Sequence, residues 1–373
     1  MAGGMNLASK YASEVDEKFH RESQAVMALN NHYKFTGVQT VNVYSVPVVA
    51  MRDYTRSGTS RYGTPDDLTR SVQTLKVGRD RAFTFIIDQG DRTQSMMVMD
   101  AGRALSRQIR EVWVPEYDTY VFRTLAARAT ARGNYSTTEL TRANAYEQFL
   151  HGMEVLGNRN VPDQGRVCFC SYRFANLLKQ DSAFMRYGDR SQEMLRKGVI
   201  GEVDGCHIVK VPASRLPAGC AFLMTHPMAA TGPKQLESFK IHDNPPGING
   251  YLVEGRVIYD CFVLNEKADA VYYHGAQPVL KPLNVTASVN GSGTAALVVE
   301  PGAPESGNSW KYQVKSSADA LDTVTYGTAI TASNWSALTG SGVTLTAAAG
   351  SVVAVAEVDS AGKPLGYGTA EVC

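Results

Sequence analysis

Residues 104–118 read ALSRQIREVWVPEYD, and this stretch decides how the rest of the chain is interpreted. Apolar side chains recur at helical intervals on one face and predict a helix over Thr93–Trp113. Pro115 has no backbone N–H and should end or kink that helix. Helical spacing nevertheless resumes after the proline and continues towards Gly133. We therefore expect one long, bent helix across a domain.

Residues 195–212 read LRKGVIGEVDGCHIVKVP, and LPAG follows at 216–219. They predict a short helix over Glu193–Lys197, which ends at Gly198, and then strands within Glu202–Val211, where Gly201–Gly205 forms a turn. Other elements follow from the same kind of periodicity. They are a helix at Thr141–Leu156 capped by Thr141 or its neighbours, a buried strand at Arg166–Ser171, a helix at Tyr172–Lys179 and strands within Lys234–Tyr273.

The first 30 residues carry a narrow apolar stripe on an otherwise charged helix. Its members lie four residues apart: Leu7, Tyr11, Val15 and Phe19. A stripe this thin does not support an isolated helix, so it must lie on another surface. That surface is either the chain's own domain or a neighbouring subunit, over which the segment would reach as an arm.

Two strand-like runs, Val38–Val49 and Val72–Asp88, enclose the long polar segment Met51–Ser71. Ordered loops of this length are uncommon in compact domains and tend to be functional or disordered. A hairpin with such a tip cannot bury itself, so it needs a partner or freedom to move. Its arginines are candidates for pairing with carboxylates of a neighbour, although a solvated arginine-rich loop is the alternative. They are Arg52, Arg56, Arg61 and Arg70.

Composition changes sharply at residue 279. Residues 279–373 contain no arginine and carry a net charge of −3, whereas the preceding residues carry +4. Short alternating runs separated by Gly, Ser, Asn and Pro predict a compact all-β domain of immunoglobulin-like type. A disordered tail is the alternative, which Trp310 and Trp335 disfavour. The predicted strands are Leu283–Val289, Ala295–Val299, Trp310–Val314, Thr323–Ile330, Val343–Thr346 and Val352–Val358.

The order of these segments resembles tailed-bacteriophage major capsid proteins of the Hong-Kong-97-type fold. Residues 104–118 look like the spine helix of that family, and the glycine pattern in 195–212 is similar to its axial-lobe signature. The resemblance covers roughly residues 1–278. It implies an α+β fold with an N-arm, an extended β flap, a long spine helix and an axial α/β lobe, followed here by the immunoglobulin-like sandwich.

The resemblance also implies a division of the chain. The parts are an N-terminal arm (1–35), an extended flap or E-loop (36–90), the spine helix of the peripheral domain (91–135), the axial domain (136–232), returning strands of the peripheral domain (233–278) and the immunoglobulin-like domain (279–373). Some relatives cross-link a flap lysine to an asparagine next door. Lys76 lies on the second flap strand, away from the tip, so we do not carry the cross-link over.

The function implied is that of a coat protein of a double-stranded DNA phage, which self-assembles into an icosahedral shell around the genome. The partners implied are further copies in pentamers and hexamers, possible scaffold, protease or portal proteins, and packaged DNA in non-specific contact. The last domain would be displayed on the outer surface, with a glycan or a cell surface as a possible ligand. The expected location is the virion capsid, assembled in the bacterial host cytoplasm.

Composition excludes several other classes. The chain is 44% hydrophobic and 20% charged with a net charge of +1, which suits a sizeable core but not sequence-specific DNA reading, for which a basic excess is usual. Neither an apolar run of about 20 residues nor a signal-peptide core occurs, so we expect no membrane span. The six cysteines are scattered and do not form a disulfide framework.

Enzymatic motifs are missing from the sequence: it has no His-Glu-x-x-His helix, no phosphate-binding loop and no nucleophile elbow. Cys168 and Cys170 would place two thiols on one face of a strand. A zinc site usually needs four ligands, so buried apolar cysteines are the preferred interpretation. We expect no catalytic residue, no cofactor and no metal.

Two other functions remain open. One is a surface-binding, adhesin-like protein whose immunoglobulin-like domain binds glycans, and the other is a different virion structural protein such as a tail component. A capsid protein should form large hollow particles, rings of five or six, or heterogeneous aggregates. An adhesin should stay a small oligomer and bind a glycan array, and a tail-tube protein should form long cylinders.

Overall fold

The computed structural model describes most of the chain outside the N-terminus. The described residues are 23–30, 33, 40–45, 48–68, 71–90, 101–181, 184, 201–291, 293–300, 302–305, 307–330 and 333–373. Four of the expectations above lie wholly or partly outside them. These are the stripe of Leu7, Tyr11, Val15 and Phe19, the residue Arg70, residues 93–100 of the expected long helix, and the helix at Glu193–Lys197.

One long helix crosses the body in three continuous segments. They are α1 (Ala101–Gln108), a π-helical turn (Ile109–Trp113) and α2 (Val114–Ala131). Pro115 lies in the first turn of α2. Because proline cannot donate to the helical hydrogen-bond ladder, the wider turn directly before it accommodates the lost bond. The prediction of a long helix that continues past Pro115 is confirmed.

A mixed six-stranded sheet forms the centre of the body. Its order is β4-β13-β8-β5-β7-β6. The strands are β4 (Tyr135–Ser136), β5 (Arg166–Ser171), β6 (Glu202–Val203), β7 (Cys206–Val211), β8 (Cys220–Thr225) and β13 (Val271–Gly275). Asp204 and Gly205 both have positive φ in the turn between β6 and β7, so the predicted turn is confirmed.

Helices cover both faces of this sheet. Phe122 of α2 packs on Phe169 of β5, with ring centroids 4.8 Å apart, in the cluster on one face. Helices α3 (Ala145–Asn158) and α4 (Tyr172–Gln180) pack on the other face. Because successive strand residues point to opposite faces, Phe169 and its cysteine neighbours lie in different layers. The result is a three-layer α/β body.

The start of α3 differs from the sequence expectation. The helix begins at Ala145, and the buried carboxylate of Asp181 accepts a hydrogen bond of 3.0 Å from the N–H of Tyr146. Thr141 or one of its neighbours was expected to cap the helix, but the hydroxyl of Thr141 donates to Asn144, and Asn144 at the N-cap position makes no side-chain cap hydrogen bond. The cap is therefore supplied by a residue 35 positions away in sequence, at the end of α4.

Two antiparallel sheets carry the chain towards the flap. Strand β1 (Thr40–Ser45) pairs with β2 (Ser71–Lys76), and a three-stranded sheet has the order β10-β11-β3. Its strands are β3 (Arg79–Asp88), β10 (Lys234–Asp243) and β11 (Gly250–Tyr259), and a separate short pair joins β9 (Ala230–Thr231) to β12 (Phe262–Val263). The single run expected at Val72–Asp88 is therefore wrong. It is two strands in different sheets, because the chain turns away at Gly78 to pair with β11.

The C-terminal region is a β-sandwich, as the composition predicted. Its two sheets have the orders β14-β21-β20-β17-β18 and β15-β16-β19. The strands are β14 (Lys281–Pro282), β15 (Asn284–Val289), β16 (Thr294–Glu300), β17 (Ser309–Lys315), β18 (Ser336–Leu338), β19 (Val343–Thr346), β20 (Val352–Val358) and β21 (Pro364–Glu371). Leu297, Trp310 and Val355 lie in the core between the sheets. We call residues 279–373 the β domain.

One predicted strand of the β domain is wrong. Residues 323–330 form no strand; Val324 and Ile330 instead pack with Trp335 on Ala354 and Ala356, which belong to β20. The alternating pattern therefore reflects a loop that covers the second face of that strand. Three strands were missed: Lys281–Pro282, Ser336–Leu338 and Pro364–Glu371.

A buried ion pair anchors the first described residues to the body. The carboxylate of Asp118 in α2 accepts hydrogen bonds from Ser23, from the N–H groups of Gln24 and Ala25, and from Arg215. The described residues also contain short 3₁₀ segments. They are Ala25–Ala28, Ala213–Arg215, Pro227–Ala229, Asn265–Ala270 and Ala318–Ala320.

Candidate inter-subunit surface

The flap is a hairpin whose strands pair and whose tip is fully exposed. Thr40 faces Lys76 and Ser45 faces Ser71 in the register of β1 and β2. Every residue from Val48 to Leu68 is exposed. We call residues 48–68 the flap tip. A segment of this length without a buried side chain gains nothing from the hydrophobic core of its own subunit.

Among the described residues, the base of the hairpin is the part that packs on the body. Leu75 and Val77, each 1% exposed, pack with Leu264. The side chain of Gln73 donates to the carbonyl of Val263 at 3.1 Å and accepts from the N–H of Asn265 at 2.9 Å. The hairpin therefore projects from a fixed base, and the tip lies beyond it.

Large apolar side chains on the tip face solvent. Val48 is 95% exposed, Met51 98% and Tyr62 84%. Leu68 is also exposed. Isolated exposed apolar residues are ordinary, but a group of them on one projecting segment indicates a surface that is covered in an assembly. The sequence reasoning missed these residues, although they stand out as apolar positions in an otherwise polar segment.

The tip has an internal structure of its own. Arg52 donates to the carboxylate of Asp66 and to the carbonyl of Thr64, across the loop. The N–H of Thr55 donates to the carbonyl of Arg61 at 3.1 Å. The rings of Tyr54 and Tyr62 meet edge to face with centroids 5.1 Å apart. Local contacts of this kind give the exposed loop a defined shape to present to a partner.

The described flap arginines differ in their partners. Arg52 pairs with Asp66 within the loop, and Arg61 donates from Nε to the carbonyl of Gly58 at 3.1 Å. Arg56 has no hydrogen-bond or ion-pair partner among the described residues. A contact of any of these arginines with a neighbouring copy stays a prediction. Arg56 is the one whose guanidinium is uncommitted within the described part of the chain.

A polar network lies where the flap joins the body. The carboxylate of Glu116 accepts hydrogen bonds from Arg79 at 2.8 Å and Arg81 at 2.9 Å. Arg79 also lies over the ring of Tyr120, 4.6 Å from its centroid. Burial alone would raise the pKa of Glu116, but the hydrogen bonds and charges of the two arginines bring it below its usual value.

A buried carboxylate completes this network. Asp260 is 6% exposed and accepts hydrogen bonds from the hydroxyl of Tyr120 and the N–H groups of Gly78 and Cys261. Burial raises the pKa of Asp260 in spite of these bonds. Asp260 therefore joins the start of β3, helix α2 and the end of β11 through hydrogen bonds, which is a structural role.

The described residues contain no group of three or more His, Cys, Asp or Glu side chains arranged to hold a metal ion. Five cysteines are buried and unpaired, and Cys373 is exposed. Burial raises the pKa of Cys170 and of Cys206 to about 12, which keeps both as neutral thiols. Among the described helices none has the length and apolar character of a membrane span.

Solved phage structures share the fold of this chain. A structure from Mycobacterium phage Che8 is 19% identical, with a TM-score of 0.60, and the match covers 73% of this chain and 98% of that one. A capsid structure of the cyanophage P-SCSP1u is 15% identical, with a TM-score of 0.57, covering 73% and 93%. The mature capsid of bacteriophage PhiM1 is 12% identical, with a TM-score of 0.55, covering 72% and 91%.

Comparison by sequence finds a similar family over the C-terminal part of the chain. Residues 288–373 are similar to the C-terminal domain of the S-layer protein SbsC. None of the curated proteins matches the chain. The structural likeness leaves about a quarter of this chain uncovered. The fold is that of tailed-phage capsid proteins of the Hong-Kong-97 type, which confirms the fold class expected from the sequence.

Proposed function

We propose that this chain is the major capsid protein of a tailed double-stranded DNA bacteriophage and that it self-assembles into an icosahedral shell. The observation that carries the proposal is the flap tip. Its residues are all exposed, large apolar side chains lie among them, and the body has a fold shared with phage capsid proteins. A projecting segment of defined shape that exposes large apolar side chains is what a subunit needs to overlap its neighbour.

Shell formation requires many moderate contacts. A standard protein interface buries on the order of 1,600 Å². When one subunit engages several neighbours, the effective affinity rises without any single tight contact. Each flap tip would supply one such contact, and Arg56 would add direction through its planar guanidinium. Leu7, Tyr11, Val15 and Phe19 would supply another through the N-terminal arm.

The division of the chain into arm, flap, peripheral domain, axial domain and β domain is part of the same proposal. So is its location in the virion capsid after assembly in the host cytoplasm. The β domain would lie on the outer surface, where its likeness to an S-layer domain suits a role at an exposed face. Scaffold, protease or portal proteins, packaged DNA and a glycan ligand are further candidate partners. No chemistry is assigned to the chain.

An adhesin-like or tail role is the second candidate, favoured only by the S-layer likeness of residues 288–373. Electron microscopy of the purified recombinant protein distinguishes the candidates. The capsid proposal expects hollow particles or rings of five or six. A small oligomer that binds a glycan array would support the adhesin, and long cylinders would support a tail tube.

A pair of variants tests whether the flap tip makes the contacts. Val48→Asp/Met51→Asp places two charges where the tip should be desolvated, and it should abolish particles while the subunit stays folded. Val298→Asp is the matched control, because Val298 is an exposed apolar residue of the β domain. Normal particles from the flap variant would overturn the role of the tip.

A further inference from the structure

The chain passes from one sheet to another at Val77 and Gly78. Strand β2 belongs to the flap hairpin, and β3, which starts at Arg79, belongs to the three-stranded sheet of the body. These two residues therefore join β2 of the flap to β3 of the body. We call Val77–Gly78 the connector. Its direction decides where the flap points.

The body holds one side of the connector. Val77 is buried against Leu75 and Leu264. The N–H of Gly78 donates to Asp260 at 3.0 Å, and Asp260 is itself fixed by Tyr120, whose hydroxyl lies 2.7 Å away. Buried hydrogen bonds to a carboxylate are among the stronger polar contacts in proteins. On this side, the connector is therefore fixed to the body by apolar packing and by a buried hydrogen bond.

The β domain holds the other side. Asn284 and Glu300 face each other across β15 and β16, so that they form one rung of that sheet. Glu300 accepts from Lys76 Nζ at 3.2 Å, and Asn284 accepts from Arg79 Nη1 at 3.1 Å. The rung therefore contacts the residues on both sides of the connector.

The fit against the connector itself is close. A Cβ added at Gly78 would lie 3.2 Å from the Cβ of Glu300 and 3.9 Å from a carboxylate oxygen of Asp260. Gly78 is thus enclosed between the body and the β domain. Its φ is not positive, so the space around the residue, and not the backbone conformation, favours glycine here.

We propose that the rung of Asn284 and Glu300 is a brace that fixes the direction of the flap relative to the body. Polar interfaces between domains permit relative motion unless specific contacts oppose it. Without the brace, the connector would keep the packing of Val77 and the hydrogen bond from Gly78 to Asp260, and it would rotate more freely. The β domain then sets the angle at which the flap meets a neighbouring copy, and this last step rests on the proposed capsid function.

The test measures the flap in unassembled, full-length subunits. Spin labels are placed on the exposed residues Val72 of β2 and Glu154 of α3 by Val72→Cys and Glu154→Cys, in a Cys373→Ser background that leaves only buried native thiols. Asn284→Ala/Glu300→Ala removes the brace. Asp319→Asn, which neutralises a carboxylate of the β domain outside this rung, is the control.

Two readouts should change together. The distance distribution between the labels should become about twice as wide, and the amide of Gly78 should exchange about tenfold faster, while the amides of β20 stay protected. The control should match the parent in both. Unchanged width with a folded β domain would overturn the brace, as would equal broadening in the control.

The brace and the capsid function can fail separately. Subunits that form normal particles but show no change in flap distance would overturn the brace and leave the proposed function intact. Subunits that show the broadening, from a parent that never associates, would support the brace and overturn the capsid function.

Discussion

The body and the flap each contain an arginine–aspartate pair, and the two pairs differ in burial. In the body, Arg215 Nη1 lies 2.8 Å from Asp118, and the side chains are 6% and 0% exposed. In the flap tip, Arg52 contacts Asp66, and the side chains are 44% and 46% exposed. The same chemical pair therefore works in a low-dielectric interior in one place and in water in the other.

The difference indicates what each region depends on. The body pair is enclosed by the chain's own backbone, since the N–H groups of Gln24 and Ala25 also donate to Asp118. The flap pair shapes a loop but is screened by solvent, so it adds little to stability. The buried pair of the body contributes to the stability of the fold, whereas the exposed flap tip keeps its surface available for a partner.

The largest expected effect comes from breaking the body pair. Asp118→Ala removes the carboxylate that faces buried Arg215, and losing one partner of a buried pair costs about 3–5 kcal/mol. The free energy of unfolding, measured by denaturant titration, should fall by that amount. Asp66→Ala in the flap is the control and should cost about 0–1 kcal/mol. Equal losses in the two variants would remove the contrast between the regions.

A charge reversal in the flap should act on association. Arg56→Glu/Arg61→Glu should change the unfolding free energy by less than about 0.5 kcal/mol, as surface substitutions do. The concentration needed for particles should rise about tenfold, which corresponds to about 1.4 kcal/mol of contact energy. Light scattering across a concentration series measures this. Arg56→Glu alone should account for most of the effect, because Arg61 donates within its own loop.

Normal particles from the double variant, at the parent's concentration, would contradict the role of these arginines.

The junction between the regions should show a pH dependence. The pKa of Glu116 is lowered below its usual 4.5 by Arg79 and Arg81, against the effect of burial. A carboxylate with a lowered folded pKa contributes stability above its unfolded pKa, and that contribution is lost as the pH falls through the folded value. Between pH 7 and pH 3, the free energy of unfolding should therefore fall less steeply in Glu116→Gln than in the parent. Parallel curves would show that the carboxylate contributes no linked stability.

The smallest effect on stability is expected from deleting residues 283–373, which make up most of the β domain. Deleting residues 283–373 should leave particle formation possible and should shift unfolding of the α/β body by less than about 1 kcal/mol, because the hydrogen bonds that it removes, from Lys76 to Glu300 and from Arg79 to Asn284, are partly exposed to solvent. Calorimetry and electron microscopy check the two parts. A soluble truncated chain that never assembles would show that the β domain is required and not merely attached.

Local patterns predicted the elements whose partners are near in sequence. Arg166–Ser171 was expected as a buried strand, and all six of its residues are buried. The following helix was also expected, and Ser171 caps it by accepting from the N–H of Phe174. Both features depend on residues within one or two turns, so periodicity and capping preferences were sufficient.

Features set by distant partners were not predictable. The run Val72–Asp88 divides because β3 pairs with β11, about 170 residues later. Strand Pro364–Glu371 was missed because Gly366 and Gly368 weaken its apolar pattern. A Cβ at Gly368 would lie 2.3 Å from the carbonyl oxygen of Leu283, so close strand approach explains the glycine. Likewise, the sequence could list the flap arginines but could not assign Arg52 to Asp66.

The π-helical turn at Ile109–Trp113 has a consequence for the phase of the long helix. Each residue of an α-helix rotates the next by about 100°, so one extra residue in a turn turns everything downstream by that angle. Leu105 before the turn packs towards Val253 in the three-stranded sheet, whereas Phe122 after it packs on the six-stranded sheet. The turn therefore rotates the apolar face of the helix between its two halves. Deleting one residue there would remove this rotation, and one half of the helix would no longer present its apolar face to its sheet.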